Sequence, residues 1–361
     1  MFRSPARTVW IAALAAVLVL AACSRRKRLP VIGEAYCAPI SLNLRQDLAP
    51  RAAIVATVKH GERLQILTRR RRFVKVRTAA DIEGWVDSRQ LLSPQGMRRL
   101  KRNHAWAARQ PSQGKATPMD VLNVHIDPNR YAPSFARISP DSDAEVIGRV
   151  VTTRGPYTPD SAQPPIPPPD SPNSIRDDWT HARLEDGRAG WVLSRMLIMN
   201  LPESVAMFSQ GHRITSFHQL GLVKDRARRQ VNNYLWTSSS VPPLAFNFDR
   251  FRVTVWNGRT RRFETGHIES NIRGFYPITV HTRPEEPVQR FTLIYASGKS
   301  PVLEHQFEMV DRKVKKTGSA PWNPPPKDAD DADPLLEVEE ETANTSAWDK
   351  VRGWVKSVTG H

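Results

Sequence analysis

Short stretches in which apolar and polar residues alternate make up most of the chain between residues 34 and 310. In residues 42–44 (Leu-Asn-Leu) and 251–255 (Phe-Arg-Val-Thr-Val), every second side chain is apolar. A period of two is expected when a β-strand buries one of its faces. Because polar segments separate these stretches, the pattern predicts a mainly β protein with antiparallel strands joined by turns.

Two stretches of the chain repeat the same features in the same order. Residues 34–93 contain Leu-Asn-Leu-Arg near their start and Gly-Trp-Val near their end. Residues 116–199 contain Leu-Asn-Val-His and again Gly-Trp-Val, and each stretch has a short strand led by an aromatic residue, Phe73 or Trp179. Matched features at this spacing predict two copies of one structural module.

The opening that ends at Arg45 and the Gly84-Trp85-Val86 strand resemble bacterial SH3-like domains. The resemblance implies small barrels of five to seven strands that act as binding modules on cell-wall and envelope proteins. Gly84 is expected to allow a close backbone approach. Trp85 and Trp191 are expected to add large apolar areas to the two cores. The expected ligand-binding and anion-binding residues are Tyr36, Arg45, Arg70, Arg71, Phe73 and Trp85.

Residues 200–316 form neither a repeat nor a linker. A short helix is predicted from Pro202 to Gln210, and antiparallel strands from Phe248 onward. Asn257-Gly258 predicts a type I′ hairpin turn, and Ser297-Gly298 predicts another turn. No motif in this region identifies a chemistry.

The composition of the segments between and beyond these regions completes the expected organisation. Trp348 and Trp354 share one face of a short C-terminal helix, which is expected to contact a membrane or a partner, or to pack back on the body. The expected segments are a signal peptide at 1–22, a basic linker at 23–33, a first barrel at 34–94, a linker at 95–115, a second barrel at 116–199 with a proline-rich insertion at 152–177, a β-rich domain at 200–316, an acidic and proline-rich disordered linker at 317–344 and an amphipathic helix at 345–359.

The N-terminus has the pattern of an export signal. Its apolar run, Val9 to Ala22, has fourteen residues. As a helix it would be about 21 Å long, less than the ~30 Å of a hydrocarbon core. Leu20-Ala21-Ala22-Cys23 resembles the lipobox of bacterial lipoproteins, which implies a lipid on Cys23. With Ser24 following, the resemblance implies an outer-membrane lipoprotein facing the periplasm; an ordinary signal peptide or a short anchor is the alternative.

The chain is strongly basic, with a formal net charge of +17, or +15 from Cys23 onward. Such a charge favours polyanions. After export the accessible polyanions are cell-wall polymers and anionic lipids, so no nucleic-acid partner is expected. Cys37 is the only other cysteine, and it is expected to stay unpaired.

No catalytic pattern is found in the sequence. The histidines are scattered without H-E-x-x-H spacing, and no nucleotide-binding loop or G-x-S-x-G is present. We therefore expect neither an enzyme nor a metal or cofactor. The main hypothesis is a lipid-anchored protein that binds peptidoglycan or another anionic envelope polymer. A scaffold that binds envelope proteins, and a hydrolase using a carboxylate such as Glu264 or Glu269, remain open.

Overall fold

The computed structural model describes residues 28–158, 175–224, 230–240 and 246–323. Cys23, Trp348, Trp354 and most of the proline-rich insertion lie outside this part of the chain. The protein is mainly β, with antiparallel sheets. It divides into two compact units, Met1–Met97 with Tyr131–Ala136, and Arg98–Arg130 with Arg137–His361. Among the described helices, none has the length and apolarity needed to cross a membrane.

The first unit is built on a seven-stranded antiparallel sheet. Its strand order is β3-β2-β6-β5-β4-β1-β7. The strands are β1 (Gly33–Cys37), β2 (Ser41–Arg45), β3 (Ile54–Lys59), β4 (Arg63–Arg70), β5 (Phe73–Arg77), β6 (Glu83–Asp87) and β7 (Leu91–Leu92).

The core of this barrel follows the alternation seen in the sequence. Leu42 and Leu44 of β2 and Val74 and Val76 of β5 all pack inside it. Cys37 is also completely buried, and it is a free cysteine. Burial, with a smaller effect of nearby Glu62, raises the pKa of its thiol to about 12. Cys37 is therefore a protonated core residue at neutral pH rather than a nucleophile.

The second sheet has the same strand order as the first. It runs β10-β9-β13-β12-β11-β8-β14, which is the first order with every strand number raised by seven. The strands are β8 (Lys115–Pro118), β9 (Leu122–His125), β10 (Ser134–Ile138), β11 (Ala144–Thr153), β12 (Arg176–Arg183), β13 (Ala189–Leu193) and β14 (Leu197–Met199). Because Thr153 pairs with Arg176, the proline-rich insertion joins β11 to β12.

The tryptophans of the two Gly-Trp-Val strands do not fill the barrel cores, contrary to the sequence-based expectation. Gly84 and Val86 are buried, and the side chain between them, Trp85, lies half-buried on the outer face of β6. Trp191 has the same position on β13. The buried tryptophan of the second barrel is Trp179, whose indole nitrogen donates a hydrogen bond to Thr152 Oγ1 at 3.1 Å. Strand alternation explains the result, since a buried Gly and Val leave only the outer face for the residue between them.

The region expected as a linker at 95–115 contains a helix, α1 (Pro94–Arg109). Met97, Leu100 and Ala107 are buried at helical spacing on one face, a periodicity hidden among the many basic residues. The indole of Trp106 stacks on His181 of β12, with ring centres 5.2 Å apart. On its other side the His181 ring stacks on Trp191 at 4.3 Å. Helix α1 thus packs against His181, whose ring in turn occupies one face of Trp191.

A third sheet follows a short helix, α2 (Glu203–Ala206), close to where a helix was predicted. Its seven strands pair in simple chain order, from β15 to β21. They are β15 (Arg213–Lys224), β16 (Gln230–Ser239), β17 (Phe248–Asn257), β18 (Arg262–Val280), β19 (Gln289–Ser297), β20 (Leu303–Val310) and β21 (Lys313–Pro321). Strands β15 and β16 are not predicted from the sequence, because their polar residues obscure the alternation. In addition, β21 continues beyond the expected domain end at residue 316.

The predicted two-residue turn at Asn257-Gly258 is wrong. Strands β17 and β18 are joined by residues 258–261, and the residue with a left-handed backbone is Arg261, at φ 53°. The side-chain oxygen of Asn257 accepts hydrogen bonds from the backbone N–H groups of Arg259 and Thr260. This side-chain capping stabilises a wider turn than the one that Asn-Gly favours. At the other predicted turn, Gly298 adopts φ 56° between β19 and β20.

Gly84→Ala should destabilise the first barrel by about 1–3 kcal/mol. A Cβ at this position would lie 2.7 Å from Leu44 Cβ and 2.9 Å from Val55 Cγ2, so the adjoining strands would have to separate. Gly33→Ala is the control in the same barrel, because its Cβ would meet only Ile66 Cδ1 at 3.9 Å. Urea unfolding of both variants checks this, and equal midpoints would contradict it.

His181→Phe should reduce the loss of stability in mild acid. Burial, with a smaller contribution from nearby His104, lowers the pKa of His181 to about 3, whereas an unfolded histidine titrates near 6.5. The unfolded chain therefore takes up a proton between these pH values, and stability falls as the pH decreases from 6.5. From pH 6.5 to 5 this single residue should cost roughly 2 kcal/mol.

Phenylalanine keeps a flat ring between the two tryptophans and removes the titration. The measurement is the free energy of unfolding of both proteins at pH 7 and pH 5. Contributions that are common to both proteins cancel in the difference. An identical pH dependence for the variant and the parent would refute the assignment.

Candidate binding surface of the first barrel

Trp85 lies between two basic residues on the outer face of the first barrel. In the strand register it stands opposite Lys75 of β5 on one side and Arg45 of β2 on the other. Arg45 Nη1 donates a hydrogen bond to the carbonyl oxygen of Ala52 at 2.8 Å. Lys75 Nζ lies 2.7 Å from Glu83 Oε2. Both cations are therefore held in place beside the half-buried indole.

A second row of side chains continues the same face. Phe73 stands opposite Asp87 in the register of β5 and β6, and the guanidinium of Arg72 lies 4.9 Å from the centre of the Phe73 ring. Asp87 accepts a hydrogen bond from Arg89 Nη2 at 2.8 Å, and Arg72 Nε lies 3.5 Å away. We call this face the Trp85 surface: Arg45, Arg72, Phe73, Lys75, Trp85, Asp87 and Arg89.

The two acids around this surface are ionised at neutral pH. A hydrogen bond from Lys75, with a further one from Arg77, lowers the pKa of Glu83. Burial alone would raise the pKa of Asp87, but hydrogen bonds and charge from Arg89 more than offset it, and the pKa is lowered. Even so, the Trp85 surface has four basic residues and one acid. It combines aromatic rings with an excess of positive charge.

The other residues predicted from sequence fall in different places. Arg70 is exposed at the end of β4 directly opposite Phe73, so it extends the Trp85 surface. Arg71, also exposed, forms the hairpin turn with φ 55°. Tyr36 lies on β1 opposite Arg63, and β1 is three strands away from β6 in the sheet order. Tyr36 therefore does not join the other aromatic residues.

Sequence reasoning missed three members of the Trp85 surface. Lys75, Asp87 and Arg89 carry no motif of their own, whereas Arg72 belongs to the run of four arginines at residues 69–72. The alternation of β5 could have identified Lys75. Because Val74 and Val76 are buried, Lys75 must lie on the same outer face of the strand as Phe73. The pairing that brings Lys75 to Trp85 connects residues in different strands, and a single sequence does not specify it.

A surface of this kind suits a carbohydrate polymer that carries acidic groups. The flat indole offers an apolar face for ring stacking. Arginine forks such as Arg45 bind carboxylate or phosphate oxygens through two parallel hydrogen bonds. Asp87 within the surface, and Glu83 bound to Lys75 beside it, limit how much free positive charge the surface presents.

Glu264 and Glu269, the two carboxylates considered for hydrolysis, interact with neighbouring side chains of the third sheet. Glu264 accepts hydrogen bonds from Asn257 at 2.8 Å and Thr260 at 3.2 Å. Glu269 lies 3.3 Å from His267 Nε2. Both carboxyl pKa values are lowered, so neither group retains the proton that a general acid needs near neutral pH. Within the described part of the chain, no group of three or more His, Cys, Asp or Glu side chains could hold a metal ion.

Comparison with known proteins agrees with the geometry of the first barrel. The family model described as "Bacterial SH3 domain" matches residues 40–93. No curated protein matches the chain. Two solved structures are similar at low identity. NlpC2 from Trichomonas vaginalis is 9% identical, with 82% of this chain and 99% of that chain covered and a TM-score of 0.16. NlpC1 from the same organism is 10% identical, with coverages of 83% and 95% and a TM-score of 0.17. The family match shows that the chain carries a bacterial SH3 domain at residues 40–93.

Proposed function

We propose that this protein is a non-catalytic, lipid-anchored component of the bacterial cell envelope that binds an acidic cell-wall polymer, peptidoglycan first among them, through the Trp85 surface. The single observation that carries the proposal is the half-exposed Trp85 fixed between Arg45 and Lys75. Bacterial SH3 domains suggest cell-wall binding, and this surface is where such a ligand would find both stacking and charge.

The second barrel is proposed to be an SH3-like copy that has given up the same binding surface. Its sheet repeats the strand order of the first, and His125 stands opposite Trp191 as Arg45 stands opposite Trp85. Its outer tryptophan, however, stands opposite His181 where Trp85 stands opposite Lys75, and the buried His181 ring stacks on it. Histidines thus take the places of both cations beside Trp85, and one face of the Trp191 indole is already occupied.

The anchoring half of the proposal depends on the sequence. The lipobox-like run Leu20-Ala21-Ala22-Cys23 follows an apolar segment too short to span a membrane. Acyl chains contribute ~0.8 kcal/mol per buried methylene, so two or three chains on Cys23 tether a protein firmly. Ser24 and the net positive charge fit a protein of the outer membrane that faces the wall from the periplasm.

Trp85→Ala should weaken binding to purified peptidoglycan sacculi by at least about 30-fold, the loss expected for a tryptophan at the centre of a binding surface. The assay is co-sedimentation of the full-length protein in mild detergent at about 150 mM salt, where surface charge is screened within ~8 Å. Tyr36→Ala is the matched control, because it removes a half-buried aromatic residue of the same barrel outside the Trp85 surface.

Equal losses in the two variants would assign the effect to barrel stability rather than to the Trp85 surface. Binding that disappears between low salt and about 150 mM in the parent would assign it to net charge alone. Absence of binding at low salt would reject the wall-binding proposal and favour the scaffold alternative, in which envelope proteins are the partners.

Cys23→Ser should release the protein from the membrane fraction. Serine offers no thiol for acylation, and the chain then lacks the lipid that would anchor it. The measurement is metabolic labelling with an alkyne-bearing fatty acid, together with fractionation of cells that express either form. Cys37→Ser is the matched control and should still be labelled. Membrane retention of both variants, without label in either, would overturn the anchor.

A further inference from the structure

A second basic site lies in the second unit, around two neighbouring aspartates of β12. Asp177 is almost fully buried. Arg130 donates to it through two hydrogen bonds of 2.8 and 2.7 Å, and Arg154 donates two more at 3.1 and 2.8 Å. Burial alone would raise the pKa of Asp177, but these arginines lower it to about 2. Its lone pairs are fully used.

Asp178 is equally occupied. Arg149, with only 5% of its side chain exposed, donates to both carboxylate oxygens at 2.7 and 3.0 Å. Arg213 Nη1 donates at 2.8 Å, and Ser194 Oγ donates at 2.9 Å. Each aspartate therefore neutralises one charge while it positions two arginines.

These groups line a cavity of about 300 Å³. Two further arginines, Arg176 and Arg195, line the same space, so six arginines face two aspartates and the formal charge is +4. Arg195 is exposed, beside the half-buried Leu193. Hydroxyl groups complete the wall, contributed by Thr215, Ser239 and Ser240.

The residues that line the cavity concentrate positive charge. Burial lowers the pKa of the Arg213 guanidinium; Asp178 opposes the shift, and the neighbouring charge of Arg149 adds to it. Like charges in a partly desolvated cleft repel more strongly than at an open surface. They also attract anions into the cleft.

We propose that this cavity binds a compact, multivalent oxyanion, a small molecule or polymer end that carries phosphate or clustered carboxylate groups. Arginine forks suit oxyanions through paired N–H donors. The volume of the cavity is at the lower end of the range for small-ligand pockets. It can hold a group with a few oxyanions, but it is too small for a polymer chain to pass through it. The hydroxyl groups of Thr215, Ser239 and Ser240 already hydrogen-bond to Thr237, the Ser240 carbonyl and Asp249, so the oxyanion would be bound by the arginines. The site shares no residue with the Trp85 surface and does not depend on the function proposed for it.

The experiment is calorimetric titration of the full-length protein, in mild detergent and about 150 mM sodium chloride, with pyrophosphate and, separately, with citrate. The test variant is Arg176→Ala combined with Arg195→Ala, which removes two charges of the cavity wall and leaves the four arginines on the aspartates unchanged. Arg259→Ala combined with Arg273→Ala is the control, because these exposed arginines of the third sheet lie outside the cavity.

The expected result is that at least one of the two anions binds, with an affinity about tenfold or more weaker in the cavity variant and unchanged in the control. Preference for pyrophosphate would identify a phosphate ligand, and preference for citrate a carboxylate ligand. Absence of binding by both anions at millimolar concentration would overturn the proposal. Equal weakening in the two variants would also overturn it, because net charge would then be the cause.

Hydrogen–deuterium exchange provides a second readout in the parent protein. Bound anion should slow exchange in the segments that line the cavity, residues 176–178, 193–195 and 213–215. Protection confined to residues 69–89 would instead mean that anions bind at the first barrel, and the cavity assignment would fall. If the double variant unfolds in control denaturation experiments, the exchange pattern of the parent still decides the question.

Discussion

The close contact between β2 and β6 at Gly84 determines the arrangement of the first barrel. A Cβ there would overlap Leu44, so the two strands come together only around a glycine. With Gly84 and Val86 facing the core, Trp85 must face outward, and the strand pairing sets Arg45 beside it. The core packing and the position of the Trp85 surface thus both follow from the close approach of β2 and β6 at Gly84.

Much of the fold follows from local sequence patterns. The alternation of apolar and polar residues predicts strands. The repeated Leu-Asn and Gly-Trp-Val motifs lie at equivalent strands of two sheets that have the same strand order. The errors occur where another interaction dominates. Helix α1 has a buried face of only Met97, Leu100 and Ala107 among basic residues, and the side chain of Asn257 replaces a predicted tight turn with a wider one.

The residues of the proposed binding sites are harder to predict from the sequence than the fold. Arg45, Phe73 and Trp85 belong to recognisable motifs, and they do share a face. Lys75 joins them only through the register of β5 and β6, and Tyr36 is placed elsewhere by the order of the strands. The cavity around Asp177 and its neighbouring aspartate is harder still, because it gathers arginines that are distant along the chain. Such groupings are properties of the tertiary structure.

The stacking of His181 on Trp191 has a consequence for binding stoichiometry. Because His181 belongs to the same chain, it occupies one face of that indole at an effective concentration that a free ligand rarely matches. A second Gly-Trp-Val strand has therefore not added a second fully open indole. A protein that attached to a polymer through the Trp85 surface alone would do so at one point, and any avidity would have to come from many molecules held side by side.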